Sequence, residues 1–236
     1  MKHNILIILL LICKSVDAQT IKLIETDSLF STKLTGETYL EYRGYNGNQY
    51  YNIDWVDSDI LLSTGERLYN KKLKYNGLLD EVIWLNTSIP GLFQLDKEFI
   101  CDFWLKKSTD KPNHFKLMNV NDTIKNHKSD IFTEVIVEGK VSLYIHRQIS
   151  VVDVQSIMRD NKLYPYKTIA PTPIYYIKLP TNKFTKLIKL SRISFLKVFP
   201  YQKKKIRKLI RENHLDMRTE NGLKEMIELM NGGIGY

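Results

Sequence analysis

The chain has 236 residues, 43% hydrophobic and 26% charged, with a net charge of +9. These proportions suit a globular protein able to bury a core and exclude an intrinsically disordered chain. Two cysteines exclude a disulfide-dense scaffold.

At the start, Lys2 and His3 precede an apolar run from Ile5 to Cys13, and Val16-Asp17-Ala18 then leads to Gln19. A short basic region, an apolar core and small residues at a cleavage point are the parts of a secretory signal peptide. The expectation is cleavage between Ala18 and Gln19, giving a signal at 1–18 and an exported protein of the periplasm or outer membrane. A retained anchor is the alternative, but the run falls short of the ~20 apolar residues that cross a bilayer. No later segment reaches that length, so no transmembrane span is expected in the mature chain. Cys13 offers a second route, acylation as a lipoprotein, although bulky Ile12 stands where a small residue is needed. After cleavage Cys101 remains alone, without a partner for an intramolecular disulfide. Its surroundings, Phe99 to Leu105, suit a small buried side chain.

The first two-thirds of the chain read as antiparallel β. Tyr50 to Trp55 is rich in aromatic and branched residues, and Asp59 to Leu62 ends at Ser63-Thr64-Gly65-Glu66. Leu68 to Tyr75 alternates and stops at Asn76-Gly77, a hairpin signal. Further strands are expected over Glu81 to Leu85, Leu92 to Leu95, Glu98 to Leu105 and Phe115 to Val120. Phe132 to Val137 and Val141 to Ile149 form a pair around Glu138-Gly139-Lys140. In that pair Val135 and Val137 share one face, as do Val141, Leu143 and Ile145, so one side meets a core. Pro165, Pro171 and Pro173 read as a linker before a final hairpin, Ile174 to Leu179 and Lys183 to Leu190.

The period then changes. Ser191 suits an N-cap before Ile193 to Phe199, Pro200 suits the first turn of a helix from Tyr201 to Asn213, and Thr219 can cap a last helix. That helix places Leu223, Met226, Ile227 and Met230 on one face, with Gly232-Gly233 to stop it. The fold class is therefore mainly β, an antiparallel meander, sandwich or open barrel-like sheet, with a C-terminal α-helical appendage. The boundaries are a β domain at 19–190 and a basic helical segment at 191–236.

Several blocks give the chain a family likeness: Lys72 to Asn76 with Asp80-Glu81, Glu138 to Tyr144, Ser194 to Phe199, and Ile206 to Leu229. On these the chain resembles exported proteins of Bacteroidota that join a β-rich N-terminal region to a basic helical C-terminus. The resemblance implies a compartment and an architecture, and no activity.

Chemistry-bearing patterns are sparse. The histidines are scattered and show no metal-ligand spacing. Asp54, Asp57 and Asp59 could hold calcium loosely but read better as a solvated turn. No nucleophile elbow or phosphate-cradling glycine pattern occurs, so no catalytic residue, metal or cofactor is assigned. The pairs Asp80-Glu81 and Asp96 with Glu98 could serve acid/base work, but fit solubility better. Ser28 and Thr123 lie in acid-hydroxyl-apolar triplets of the kind O-glycosylated in Bacteroidota envelopes, and unmodified loops explain them equally well.

Charge supplies the clearest feature. Asn161 to Arg211 holds fourteen lysines and arginines without one Asp or Glu, leaving the rest of the chain at −5. Lys197, Lys203, Lys204, Lys205, Arg207, Lys208 and Arg211 are the candidate docking residues for an anionic membrane surface or an acidic envelope protein. A solvated face that only keeps the protein soluble is the plain alternative. Nucleic acid is disfavoured, because an exported protein meets little of it and no base-reading motif is present. The function expected is a non-enzymatic envelope protein, a β scaffold docking through its basic end. A carrier of an apolar ligand is the alternative, suggested by Tyr50, Tyr51, Trp55, Trp84, Phe103 and Trp104.

Overall fold

The computed structural model describes residues 22–27, 31–41, 44–88, 90–106, 111–122, 127–159 and 162–233. The expected signal peptide with its cleavage point at Ala18 and Gln19 lies outside the described residues, as do Ser28 and Thr123.

The strands are β1 (Lys22–Asp27), β2 (Ser31–Thr38), β3 (Tyr45–Asn46), β4 (Val56–Leu62), β5 (Arg67–Asn76), β6 (Glu81–Asn86), β7 (Gly91–Leu95) and β8 (Ile100–Leu105). They continue as β9 (Asn113–Asp122), β10 (His127–Val137), β11 (Ser142–His146), β12 (Ile149–Arg159), β13 (Lys162–Pro171), β14 (Ile174–Lys178) and β15 (Phe184–Leu187). Three helices follow, α1 (Arg192–Val198), α2 (Lys203–Glu212) and α3 (Glu220–Gly233). Twelve strands make one sheet in the order β1-β2-β7-β6-β5-β4-β8-β9-β10-β11-β14-β15, and β12-β13-β3 make a second. The large sheet is antiparallel and not closed into a barrel.

The sheet is strongly curled. β5 and β10 are separated by β4, β8 and β9 in the strand order, yet Tyr75 of β5 lies 5.1 Å from the Phe115 ring and 6.3 Å from Phe132. Breaks in register at Ser58/Ile60 and Leu61/Leu62 of β4 supply bending. Tyr75, Phe103, Phe115 and Phe132 are completely buried in the resulting concavity. Asp80, in the turn after β5, has φ 58°. Its carboxylate reaches across to accept the Phe132 backbone N–H at 3.2 Å and the Tyr75 hydroxyl at 2.6 Å. Lys97 also pairs with it. Burial, then the Asp80 charge, pushes the Tyr75 phenol well above its ordinary pKa.

A second core joins sheet and helices. Val141, Leu143 and Ile145 of the β10–β11 hairpin pack with Phe195 of α1, Ile206 and Ile210 of α2, and Leu223, Met226, Ile227 and Met230 of α3. The last strand ends at Leu187 and the first helix begins at Arg192, but the packing crosses that boundary. The expected apolar faces of both β11 and α3 are those buried here. Ser191 caps α1, accepting the Ser194 N–H at 3.1 Å, and Thr219 accepts the Gly222 N–H at 3.0 Å. Asn231 ties the far end of α3 to the sheet like a short strand, its side chain bonding Val141 N at 3.0 Å and Val141 O at 2.8 Å. Asn231→Ala should therefore cost about 1–3 kcal/mol, the loss of two bonds to buried backbone groups, read as a lower urea midpoint.

Three readings from the sequence need correction. Tyr50 to Trp55 is not a strand: beyond the Tyr50–Asn76 bridge the backbone bends. There the Asn52 side chain takes over the role of a neighbouring strand, accepting from Tyr75 N at 3.3 Å. The prolines do not mark a linker, because Pro165 lies inside β13 opposite Ser156. β3 covers only Lys167 and Thr168 of β13, so a missing N–H on the open edge costs nothing there. Val141 to Ile149 is not one strand either. β11 stops at His146, and Ile149 opens β12 in the other sheet. Gly77 helps this crossing: a Cβ there would strike the Arg147 carbonyl oxygen. A smaller shift concerns α2, which begins at Lys203, so Pro200 precedes it in a turn.

Candidate functional site

α2 owes its position to its inward side. Ile206 and Ile210 are buried, and Leu209 packs partly against the same core. The helix therefore has no apolar stripe left for a membrane interior. Its outward side carries Lys203, Lys204, Lys205, Arg207, Lys208 and Arg211, all exposed, as is Lys197 on α1. Among the described residues, ion pairing reaches Lys208 alone of these seven, through Glu212 at 3.6 Å.

The first turn of α2 holds three lysines and no acid, and its N-cap, Gln202, makes no side-chain capping bond. Exposed backbone N–H groups make that end of a helix electropositive, so each cation there is disfavoured by about 0.3–1 kcal/mol at low salt. Exposed apolar residues stand beside these cations: Ile188 (87%), Ile193 (70%) and Tyr201 (100%). Ile193 and Lys197 are four apart on α1 and share a helical face. Lys186, Lys189 and Arg192 are exposed in the same stretch.

The other expected candidates are engaged elsewhere. Asp57 pairs with Lys72 at 2.9 Å, while Asp59 pairs with Lys106 at 2.6 Å and Arg67 at 3.2 Å. Burial works to raise the Asp59 pKa, but Lys106, the Asn70 N–H and Arg67 together outweigh it and hold it below its ordinary value. Among the described residues no group of three or more metal-ligand side chains comes together. Cys101 is half-buried rather than buried. The rings named for a ligand cavity are taken up by other side chains. Phe103 stacks on Phe115 at 4.8 Å, Trp84 meets Phe93 at 5.8 Å, and Tyr51 meets Phe115 edge-on at 5.3 Å. Trp104 is covered on its faces by Arg67 at 4.2 Å and His114 at 4.6 Å. Lys74 lies 4.9 Å from both the Tyr50 and Trp55 rings.

Sequence reasoning missed a polar cleft of about 840 Å³ between β9, β10 and α3, lined by Trp104, His114, Glu134, Arg147 and Glu220 among others. Arg147 bridges Glu134 on β10 and Glu220 on α3, the latter through a fork at 2.8 and 2.6 Å. Burial opposes the Arg147 charge, but the Glu220 and Glu134 carboxylates more than compensate and raise its pKa. Burial, then the Glu134 charge, pushes the Tyr51 phenol up to about 12. Asn113 donates to Glu134 at 2.5 Å, and His114 meets Asp102 at 2.7 Å. The network fastens α3 to the sheet. One signal for it was present in the sequence: Glu134 shares strand phase with Phe132, an acid placed where the core lies.

Comparison with family models, with curated proteins and with solved structures found no match.

Proposed function

We propose that the chain is an exported, non-enzymatic envelope protein that docks electrostatically on an anionic membrane surface or envelope protein through α1 and α2. The observation that carries the reading is the first turn of α2. Three exposed lysines sit where the helix's own field disfavours them, and a bound anion would turn that cost into a gain. The acid-free stretch around them and exposed Ile188, Ile193 and Tyr201 add support, since cations with a few apolar side chains suit a lipid–water boundary. Export, periplasmic or outer-membrane placement and kinship with the Bacteroidota proteins rest on the sequence patterns described above. The carrier reading has less support, because the rings that suggested it are engaged with other side chains.

Vesicle co-sedimentation tests the docking. The chain should bind phosphatidylglycerol-containing vesicles at low ionic strength and release as salt shortens the screening length to about 3 Å near 1 M. Replacing Lys203, Lys204 and Lys205 together by glutamine should weaken binding roughly 100-fold, at about 1 kcal/mol per cation near a charged surface. Binding to native envelopes but not to vesicles would assign the docking to a protein. A chain that stays soluble and partnerless in low-salt envelopes would overturn the reading.

A further inference from the structure

β12 and β13 form a hairpin that projects from the rest of the protein. Every residue from Val151 to Ser156, and from Lys162 to Tyr166, is exposed, so neither face of the ribbon is covered. Val152, Val154, Met158 and Leu163 are 53, 59, 70 and 67% exposed. An isolated two-stranded ribbon is marginal in water, and a third strand is what makes such a sheet stable. Among the described residues β12 is also an edge, with β13 on one side and no strand on the other. Exposed edges are commonly blunted by lysine or proline, and β12 contains neither between Ile149 and Arg159.

We propose that this edge pairs antiparallel with β12 of a second copy of the chain, centred on Ser156. The charges of the strand select that register. Asp153 and Arg159 are the charged residues of β12, and they stand three positions either side of Ser156. With Ser156 facing itself, Asp153 lies opposite Arg159 of the second copy, and the two-fold symmetry makes the pairing twice. Val154 then faces Met158 of the second copy, so the exposed apolar positions pair as well. Sliding the register separates Asp153 from its opposite charge. The break in register between Val151 and Asp153 ends the flat part of the edge and confines the pairing to Asp153 through Arg159. The product is a four-stranded sheet, β13-β12-β12-β13, with no dependence on the basic helices.

Sedimentation velocity on the chain as recovered from its host should find a dimer at about 10 μM, a concentration at which weak but specific interfaces form. Asp153→Arg and Arg159→Asp should each weaken it about tenfold or more, because like charges then meet across the strands. Combining the two should restore the affinity, which simple apolar association would not do. Crosslinking gives a second measurement in a Cys101→Ser background. Ser156→Cys should oxidise to a dimer, because facing Cα atoms in a ladder lie within disulfide reach, about 4.4–6.8 Å. Val154→Cys should not, because its two copies are offset by four residues, about 14 Å along the strands. A monomer at every concentration, equal crosslinking at both positions, or a monomer whose ribbon adheres to vesicles instead would each overturn the proposal.

Discussion

Arg147→Ala should lower the unfolding free energy by about 3–5 kcal/mol, the loss expected when a buried ion pair keeps only one of its members. Glu134 is the reason. Its side chain is 4% exposed, and its charge is held by Arg147 together with the Asn113 amide and the Tyr51 hydroxyl at 3.4 Å. Without the guanidinium the carboxylate must stay buried with neutral donors or take up a proton. Glu220, at 36% exposed, can turn to water and contributes less to the loss. Urea unfolding of Arg147→Ala beside Arg147→Ala/Glu134→Gln measures the difference. The double variant removes the stranded charge and should regain part of the stability. If both fall equally, the damage comes from lost packing of the arginine stem.

The second large effect lies in the curled sheet. Phe115→Ala should cost about 3–5 kcal/mol, the usual range for deleting a fully enclosed aromatic ring. Phe115 is 0% exposed and touches Tyr51, Tyr75 and Phe103 at ring distances of 5.3, 5.1 and 4.8 Å. Those neighbours come from three different segments, so the cavity cannot collapse by moving one of them. Phe115→Leu should recover over half of the loss, because it restores most of the volume without the ring contacts. Thermal and urea denaturation of the two variants would measure this. A cost below about 1 kcal/mol for the alanine variant would mean the site is looser than its burial indicates.

The sequence carried local structure well where one physical signal acted alone. Ser191 and Thr219 could be read as caps because capping needs one hydroxyl before a helical period. The inner face of α3 was legible because four apolar residues repeat at helical spacing. Legibility failed where a side chain substitutes for a strand. Asn52 satisfies the end of β5 and Asp80 satisfies β10, and neither act leaves a periodic trace. It failed again at Pro165, where proline argues against a strand unless one knows that the strand has an open edge. For the candidate site, the cations of α2 were legible as a charge run. That their helix spends its apolar side on the core became visible only with α1, α3 and the β10–β11 hairpin in place. Of the Arg147 network only Glu134, an acid in phase with the core, left a trace; its pairing was beyond reach, since it unites residues 13 and 73 positions apart.

The clasp between Asn231 and Val141 also bears on the order in which the protein can assemble. The hairpin holding Val141 leaves the ribosome 90 residues before Asn231 does. Until then only α1 and α2 can cover its Val141, Leu143 and Ile145 side chains, and the share of the core that α3 supplies is missing. A nascent chain must wait with that greasy surface partly bare, so a chaperone holding it unfolded would find its natural grip there. Shortened chains lacking α3 should be the ones that clump.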